Sequence, residues 1–229
     1  MREAINFIWK LGLLAEVAAA VRILQQGLAR EYPALFTACC ILPIKSALLM
    51  NAYGGLLTRD QARSLTSQLQ PIEWLISAWV VFELLSRWTG KYPGARRHGR
   101  LLAATFAGLA VLISLACGSA EWQALSFAHN FRIYYMLDRV VWGTLALFAA
   151  GIWLFFRNYP LQIAPNLMRH TNIAAVYFSA IALSTLTFTL NGLRVVAFVN
   201  LSIVTVNVGC FGAWALSMTR EGQVPIDSQ

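Results

Sequence analysis

The sequence predicts an all-α integral membrane protein, a polytopic bundle of seven transmembrane helices. Seven apolar stretches fill most of the 229-residue chain, and each is close to the roughly 20 helical residues that cross a hydrocarbon core. Hydrophobic residues make up 58% of the chain and charged residues only 12%, and the mean hydropathy is +0.59. Inside lipid every backbone N–H and C=O needs an internal partner, so these stretches are predicted to be helices.

The predicted spans form one integral membrane domain covering residues 1–229. In chain order they are residues 4–27, 34–57, 72–88, 101–117, 134–156, 173–190 and 195–218. The first three contain isolated charges, whereas the fourth, sixth and seventh contain none. The remaining loops and tails are too short for a separate soluble domain, so any activity belongs to the bundle or to a partner chain.

The first span has one feature of a signal peptide, because residues 13–20 are apolar and end in small side chains. Glu16 inside this stretch and Arg22 directly after it argue against cleavage. Lys10, Glu16 and Arg22 follow each other at six-residue intervals, so each is turned about 240° from the last. They do not form one polar stripe, which favours a transmembrane helix over a helix lying on the membrane surface.

A Tyr-Pro dipeptide follows the first, third and fifth spans. The tyrosines are Tyr32, Tyr92 and Tyr159, and the proline after each forces its tyrosine out of the α region, so the helix ends there. Tyrosine suits the membrane interface, so the three rings are expected at one common depth on the cytoplasmic side. The spacing predicts three helical hairpins plus a single seventh helix, arising by duplication. The alternative is that interfacial turns favour both residues without any repeat.

The basic residues are distributed unequally between the two sides of the bundle. The loops after the first, third and fifth spans and the C-terminal tail hold Arg30, Arg87, Lys91, Arg96, Arg97, Arg100, Arg157, Arg169 and Arg220. The opposite side holds Arg2, Arg59, Arg63, Arg132 and Arg194. The positive-inside rule then predicts a multi-pass protein of the plasma (inner) membrane with its N-terminus outside and its C-terminus in the cytoplasm. The net charge of +8 is therefore attributed to orientation in the lipid bilayer, and no nucleic-acid partner is predicted.

The candidate site is a group of polar residues at membrane depth, where an ionisable side chain is costly and commonly functional. Glu16 of the first span and Lys45 of the second lie at similar heights, roughly 16 Å from the cytoplasmic ends of two antiparallel neighbours. We expect them to form an ion pair near the bilayer midplane, beside a kink at Pro43. Asn207 of the seventh span falls near the same level, and Asn200 lies seven residues earlier on a similar face.

This cluster permits two interpretations. It is either a cavity that binds a ligand or a coupling ion, or a set of contacts that fix helix packing. Two further ion pairs are expected to be structural: Glu83 with Arg87 or Arg22, and Asp138 with Lys10.

The inventory of reactive side chains argues against most enzymatic and cofactor chemistry. His98, His129 and His170 are the only histidines, and all are placed in loops or at a helix end. A transmembrane haem needs axial ligands at depth and a zinc site needs several converging ligands, so no cofactor and no metal are predicted. The seventh span has no lysine, which excludes a retinal Schiff base there. Ser119 has no histidine at a comparable depth in a neighbouring span, so no catalytic residue is predicted.

The sequence therefore favours a non-enzymatic membrane protein over an enzyme, although a membrane enzyme stays open as the third class. The favoured protein is either a small-ligand sensor or a subunit of a membrane complex. Its short cytoplasmic loops require a membrane-protein partner or a homo-oligomer to pass on a signal. The alternative is a small transporter or channel with a polar site near the midplane. A transporter needs access from both faces, whereas a docking subunit would have a dry core.

Overall fold

The computed structural model describes residues 2–52, 57–90, 132–158 and 164–223, together with the single positions 101, 105, 108, 109 and 112. Every regular element in these ranges is helical, and no strand occurs among them. The α-helices are α1 (Arg2–Gln25), α2 (Pro33–Asn51), α3 (Arg59–Gly90), α4 (Arg132–Asn158), α5 (Pro165–Asn191) and α6 (Val196–Ser217). Short 3-10 turns follow α5 at Gly192–Val195 and α6 at Glu221–Gln223.

Five of these helices are long and apolar enough to cross a membrane. They are α2, α5 and α6, with Ser64–Trp88 of α3 and Met136–Phe155 of α4. The described part of the chain is therefore all-helical and has the helices that a multi-pass membrane protein requires. Helix α1 is not among the five; Lys10, Glu16 and Arg22 lie along its length. The fourth predicted span, residues 101–117, lies outside the described residues except at five single positions.

Two helices begin earlier than the sequence predicted. The third span was expected from residue 72, but α3 begins at Arg59 and contains Pro71 in its interior. The sixth was expected from residue 173, but α5 begins at Pro165. Polar residues in the added turns bind partners inside the bundle, as described below, so they lower the local hydropathy without ending the helix.

The end of α1 shows how local sequence sets the connections. Gly27 adopts a φ of 69°, a left-handed conformation that costs glycine little. Its N–H donates to the Leu24 carbonyl at 3.0 Å, and the Leu28 N–H donates to the Ile23 carbonyl at 2.9 Å. These two bonds form a Schellman motif, which stops the helix and satisfies its last carbonyls. The chain then turns and enters α2 at Pro33, whose fixed φ suits a first helical position.

The six helices pack as a closed ring. Each contacts the next one along the chain, and α6 returns to contact α1. Helices α1 and α6 run parallel: a β-carbon at Gly12 would lie 3.9 Å from Val204 and 3.8 Å from Val208. Farther along the same pair, the Arg220 N–H donates to Gln26 Oε1 at 2.9 Å.

Helices α3 and α4 are also parallel. Midway along α3 and near the start of α4, the Trp74 indole N–H donates to Asp138 at 2.9 Å and the Trp74 and Tyr134 rings stack at 6.0 Å. Near the end of α3, the Trp88 indole N–H donates to Thr171 of α5 at 3.0 Å. Since only residues 159–164 separate α4 from α5, the last turns of α3 and α4 lie at the same end of the ring.

Candidate functional site

A cavity of about 520 Å³ lies inside the ring, and all six helices contribute to its wall. Its volume falls within the range of small-molecule binding sites. It occupies the half of the ring that contains the first turns of α1, α3, α4 and α6, which we call the cavity end. The side chains that line it are Trp9, Glu16, Leu42, Lys45, Ser46, Leu49, Thr66, Gln70, Glu73, Tyr134, Asp138, Trp142, Tyr177, Ile181, Thr185, Asn200, Ile203, Val204 and Asn207.

Lys45 is the one basic side chain among the described residues of the cavity wall, and it is held by α3. Lys45 Nζ forms an ion pair with Glu73 and donates to Gln70 Oε1 at 2.9 Å. Each side chain of the ion pair is 14% exposed. The charge of Lys45 is therefore offset by a direct neighbour on the adjacent helix.

Asp138 of α4 is held by neutral donors. The indole N–H groups of Trp74 and Trp142 each donate to Asp138 Oδ1 at 2.9 Å, and the Gln70 amide donates to the same oxygen at 3.4 Å. These bonds fix the carboxyl group without supplying a positive charge.

Glu16 is the least satisfied charged group of the cavity. It is 2% exposed, and its Oε1 accepts a long hydrogen bond of 3.4 Å from Ser46 Oγ. Its Oε2 atom is buried and has no hydrogen-bond partner among the residues that the structure describes. The same holds for Oδ1 of Asn207. Two hydrogen-bond acceptors of the cavity wall thus have no donor.

The structure brings the four residues of the sequence-predicted site to one place, because Glu16, Lys45, Asn200 and Asn207 all line the cavity. The expected direct ion pair between Glu16 and Lys45 is wrong, since Lys45 contacts Glu73. Helical rise gave similar heights for the two residues, but the rotation of each helix decides which side chains meet. Glu73 was missed because it fell at the edge of the predicted third span, whereas α3 extends well before it.

The two pairs that were expected to be structural are also wrong. Arg87 forms its ion pair with Glu31 at 3.2 Å, whereas Glu83 accepts the Ala34 N–H at 2.6 Å. Asp138 binds the tryptophans and Gln70 in place of Lys10. In each case a neutral donor from a neighbouring helix binds one oxygen of a buried carboxyl group that had been paired with a basic residue.

The opposite half of the ring, which we call the packed end, joins its helices through several polar contacts. Three of its buried polar atoms, Glu83 Oε1, His170 Nε2 and Ser217 Oγ, have no hydrogen-bond partner among the described residues. Glu83 of α3 binds the first turn of α2 through the Ala34 N–H, where the free backbone donors and the helix dipole favour a carboxylate. Tyr32 is 1% exposed and lies under the Arg87 guanidinium, 4.6 Å from the ring centroid. The ring of Tyr32 is therefore buried in the protein. Tyr92 and Tyr159 lie outside the described residues, so their common depth stays a prediction.

His170 lies at the centre of the packed end and is completely buried. It was expected in a loop or at a helix end, and it lies in the second turn of α5, five residues after the helix begins. The Trp214 indole N–H donates to His170 Nδ1 at 3.1 Å, and the Tyr32 ring meets the imidazole edge-on at 5.4 Å. Because indole only donates, the imidazole proton belongs on Nε2, which faces Glu83 Oε1 at 3.9 Å.

The turn after α6 closes the packed end. The Asn166 amide donates to the Thr219 carbonyl and accepts the Thr219 N–H at 3.3 Å. The backbone of Gly222 lies so close to the Asn166 side chain that a β-carbon at Gly222 would lie 2.3 Å from Asn166 Oδ1. Asn166 is completely buried, so this contact leaves no room for a larger residue.

Comparison of the chain with family models, with curated proteins and with solved structures finds no match. Within the described ranges, no three His, Cys, Asp or Glu side chains come together as the ligands of a metal ion would. The function proposed for the chain therefore depends on the geometry of the cavity itself.

Proposed function

We propose that this chain is a multi-pass membrane protein that binds a small polar ligand in the cavity and acts as a ligand sensor through a partner chain. The observation that carries the proposal is the wall of the cavity: all six helices meet there, with Glu16, Lys45, Glu73 and Asp138 on four of them. A ligand that contacts several helices at once changes their relative positions, which is how a sensor without large loops passes on a signal.

The polar wall supports ligand binding over a purely structural role. A subunit that only docks to other membrane proteins needs apolar packing between its helices, since buried polar groups without partners cost free energy. Among the described residues, Glu16 Oε2 and Asn207 Oδ1 are the unpartnered buried atoms whose residues also line the cavity. A ligand with matching donors would recover that cost.

The packed end supports a sensor over a transporter. A transporter needs access to its site from both faces, but His170, Asn166, Thr171 and Met218 are completely buried beyond the cavity. In the resting arrangement the ligand therefore enters from the cavity end. With the N-terminus outside, as the distribution of basic residues favours, this entrance faces away from the cytoplasm.

The seven-span topology is part of the same proposal. The parallel run of α3 and α4 supports a further crossing in the interval between Gly90 and Arg132. The apolar residues 101–117 lie in this interval and have the length for one crossing. The parallel run of α1 and α6 likewise supports an odd number of spans. Labelling of single-cysteine variants at Ser67 and Arg97 tests the topology, since the two positions must react from opposite sides of the membrane.

Ligand binding is tested by filling the cavity. A Ser46→Phe variant places a ring in the cavity, and Leu216→Phe, at a position that is 83% exposed, is the matched control. A screen of small polar compounds by thermal unfolding in nanodiscs should find compounds that raise the Tm of the wild type and of Leu216→Phe but not of Ser46→Phe. A bound ligand at a hundred times its Kd adds about 2.7 kcal/mol. If every stabilising compound acts equally on all three proteins, the cavity is not a binding site.

A transporter is the second candidate, and the prolines favour it. Pro43 lies inside α2 and Pro71 inside α3, close to Lys45 and Gln70 of the cavity wall. Each removes a backbone hydrogen bond from its helix, and interrupted helices beside a polar site are common in transporters. Uptake of an identified ligand into proteoliposomes separates the two: a sensor binds without net flux, whereas a transporter accumulates the ligand or exchanges it.

A further inference from the structure

We infer that the ligand carries a protonated primary amine, which binds between Glu16 and Asn207 at the seam of α1 and α6. This inference rests on the proposed function, because it names the chemical class of the molecule that the cavity takes. It is drawn from the charge of the cavity, from its two unpartnered acceptors and from its aromatic wall.

Among the described residues that line the cavity, carboxyl groups outnumber basic groups. Glu16, Glu73 and Asp138 contribute three carboxyl groups, and Lys45 is the one basic side chain of that described wall. Lys45 is bound to Glu73, and Asp138 is held by three uncharged N–H donors. Glu16 therefore remains as a buried carboxyl group without a direct cation, and burying such a charge unpaired is costly.

The unpartnered atoms specify the kind of group that fits. Glu16 Oε2 and Asn207 Oδ1 are both acceptors, both buried and both without a donor among the described residues. A primary ammonium has three N–H donors and one positive charge, so it can serve both oxygens and offset Glu16 at the same time. A carboxylate, a phosphate or a quaternary ammonium cannot donate to either oxygen.

The two acceptors come from one level of the ring. Gly12 of α1 faces Val204 and Val208 of α6 across a close contact. Glu16 is one turn after Gly12, and Asn207 directly precedes Val208. Because the two helices are parallel, the α-carbons of Glu16 and Asn207 lie within about one helical pitch of each other along the axis of the ring.

Aromatic side chains complete the wall. Trp9, Tyr134, Trp142 and Tyr177 line the same cavity, and aromatic faces attract ammonium groups and cover the apolar part of an organic ligand. Trp142 is further held by its bond to Asp138 and by stacking on Phe178 at 6.1 Å. The wall therefore suits an amine with an apolar body better than a bare inorganic cation.

The test uses three probes of one shape. Labelled phenethylammonium, 2-phenylethanol and phenylacetate are dialysed to equilibrium against the full chain in nanodiscs, with empty nanodiscs as the blank. We expect saturable binding of phenethylammonium that is abolished by Ser46→Phe and weakened roughly ten- to hundredfold by Glu16→Gln, because one charged hydrogen bond is lost. Glu31→Gln removes an exposed carboxyl group at the packed end and should leave the affinity unchanged.

Each other outcome has a defined meaning. If phenethylammonium binds equally well to Glu16→Gln, or if sodium chloride displaces it as well as butylammonium chloride does at equal ionic strength, the inference is overturned. If phenylacetate or phenylethanol binds in a manner sensitive to Ser46→Phe while phenethylammonium does not, the cavity binds a ligand but the amine assignment is wrong. If Ser46→Phe changes the binding of none of the three probes, the amine assignment is overturned. The wider compound screen then decides the proposed function separately.

Discussion

The two ends of the ring bury polar side chains in different ways. At the packed end, the buried carboxyl group of Glu83 binds the first turn of α2, His170 binds Trp214 and Asn166 binds Thr219. At the cavity end, Glu16 and Asn207 each have a buried oxygen without a hydrogen-bond partner among the described residues, beside a space of about 520 Å³. The packed end also has such atoms, but two of them, Glu83 Oε1 and His170 Nε2, face each other at 3.9 Å. The ends therefore differ in the open space beside their unpartnered atoms.

This difference is expected for a binding protein that must be stable and responsive at once. Well-packed, hydrogen-bonded contacts fix a single arrangement of helices, and regions with fewer internal contacts respond to ligands. The contrast predicts that substitutions at the packed end mainly change stability, while substitutions at the cavity end mainly change ligand binding.

The largest expected effect is a difference in unfolding free energy between alanine variants of two tryptophans. Trp214 is 2% exposed and packs against His170, Tyr177 and Phe211, so Trp214→Ala should cost about 3–5 kcal/mol of unfolding free energy. Trp9 lines the cavity and is only partly buried, so Trp9→Ala should cost clearly less. Thermal or denaturant unfolding in detergent measures both. Equal losses would remove the distinction between the ends.

The next effect concerns the ion pair of the cavity wall. Removing one partner by Lys45→Met or Glu73→Gln should cost about 3 kcal/mol, since the other charge stays partly buried and unpaired. The double variant should cost less than the sum, with a coupling of at least about 1 kcal/mol. The matching cycle of Lys45→Met with Glu16→Gln should show a smaller coupling. A larger coupling to Glu16 than to Glu73 would contradict the observed pairing.

A smaller loss is expected from one added methyl group. Gly222→Ala places a β-carbon against Asn166, and the resulting shift should cost about 2 kcal/mol. Gly209→Ala is the control, because no atom lies within 4 Å of a β-carbon there. In an Asn166→Ala background the penalty of Gly222→Ala should largely disappear. If Gly222→Ala still lowers the unfolding free energy by the same amount in the Asn166→Ala background, the loss comes from the backbone of the turn and not from the contact with Asn166.

The smallest effect is the loss of one hydroxyl group. Thr171 accepts the Trp88 N–H at 3.0 Å in the buried packed end, so Thr171→Val should cost about 1 kcal/mol. Thr205 is exposed and donates only to the Leu201 carbonyl of its own helix, so Thr205→Val should be nearly neutral. Unfolding midpoints measured side by side check the difference, and equal midpoints would show that the Trp88 contact adds no stability.

Much of the fold could be predicted from apolar length alone. Hydropathy located five membrane-length helices, and helical rise brought Glu16, Lys45, Asn200 and Asn207 to one cavity. These features depend on how far each residue lies along its helix axis, and that distance follows directly from the position of the residue in the sequence.

The partners of the buried groups could not be predicted in the same way. Whether Lys45 meets Glu16 or Glu73 depends on helix rotation and on where α3 begins, and charge alone did not show that Trp74 and Trp142 would satisfy Asp138. The burial of His170 was missed for a related reason. Its contacts with Trp214 and Tyr32 offset part of the cost that hydropathy assigns to a polar residue inside a helix.

The most direct test of the contrast compares access to one cysteine at each end. In a chain whose four native cysteines are replaced, Ser46→Cys lines the cavity and Thr171→Cys lies in the fully buried packed end. A small cationic methanethiosulfonate should modify Cys introduced at Ser46 in folded protein, and phenethylammonium should slow that reaction. The Thr171 position should react only after unfolding. Equal reactivity at the two positions, or a Ser46 position that stays unreactive until the protein unfolds, would contradict an accessible cavity opposite a sealed end.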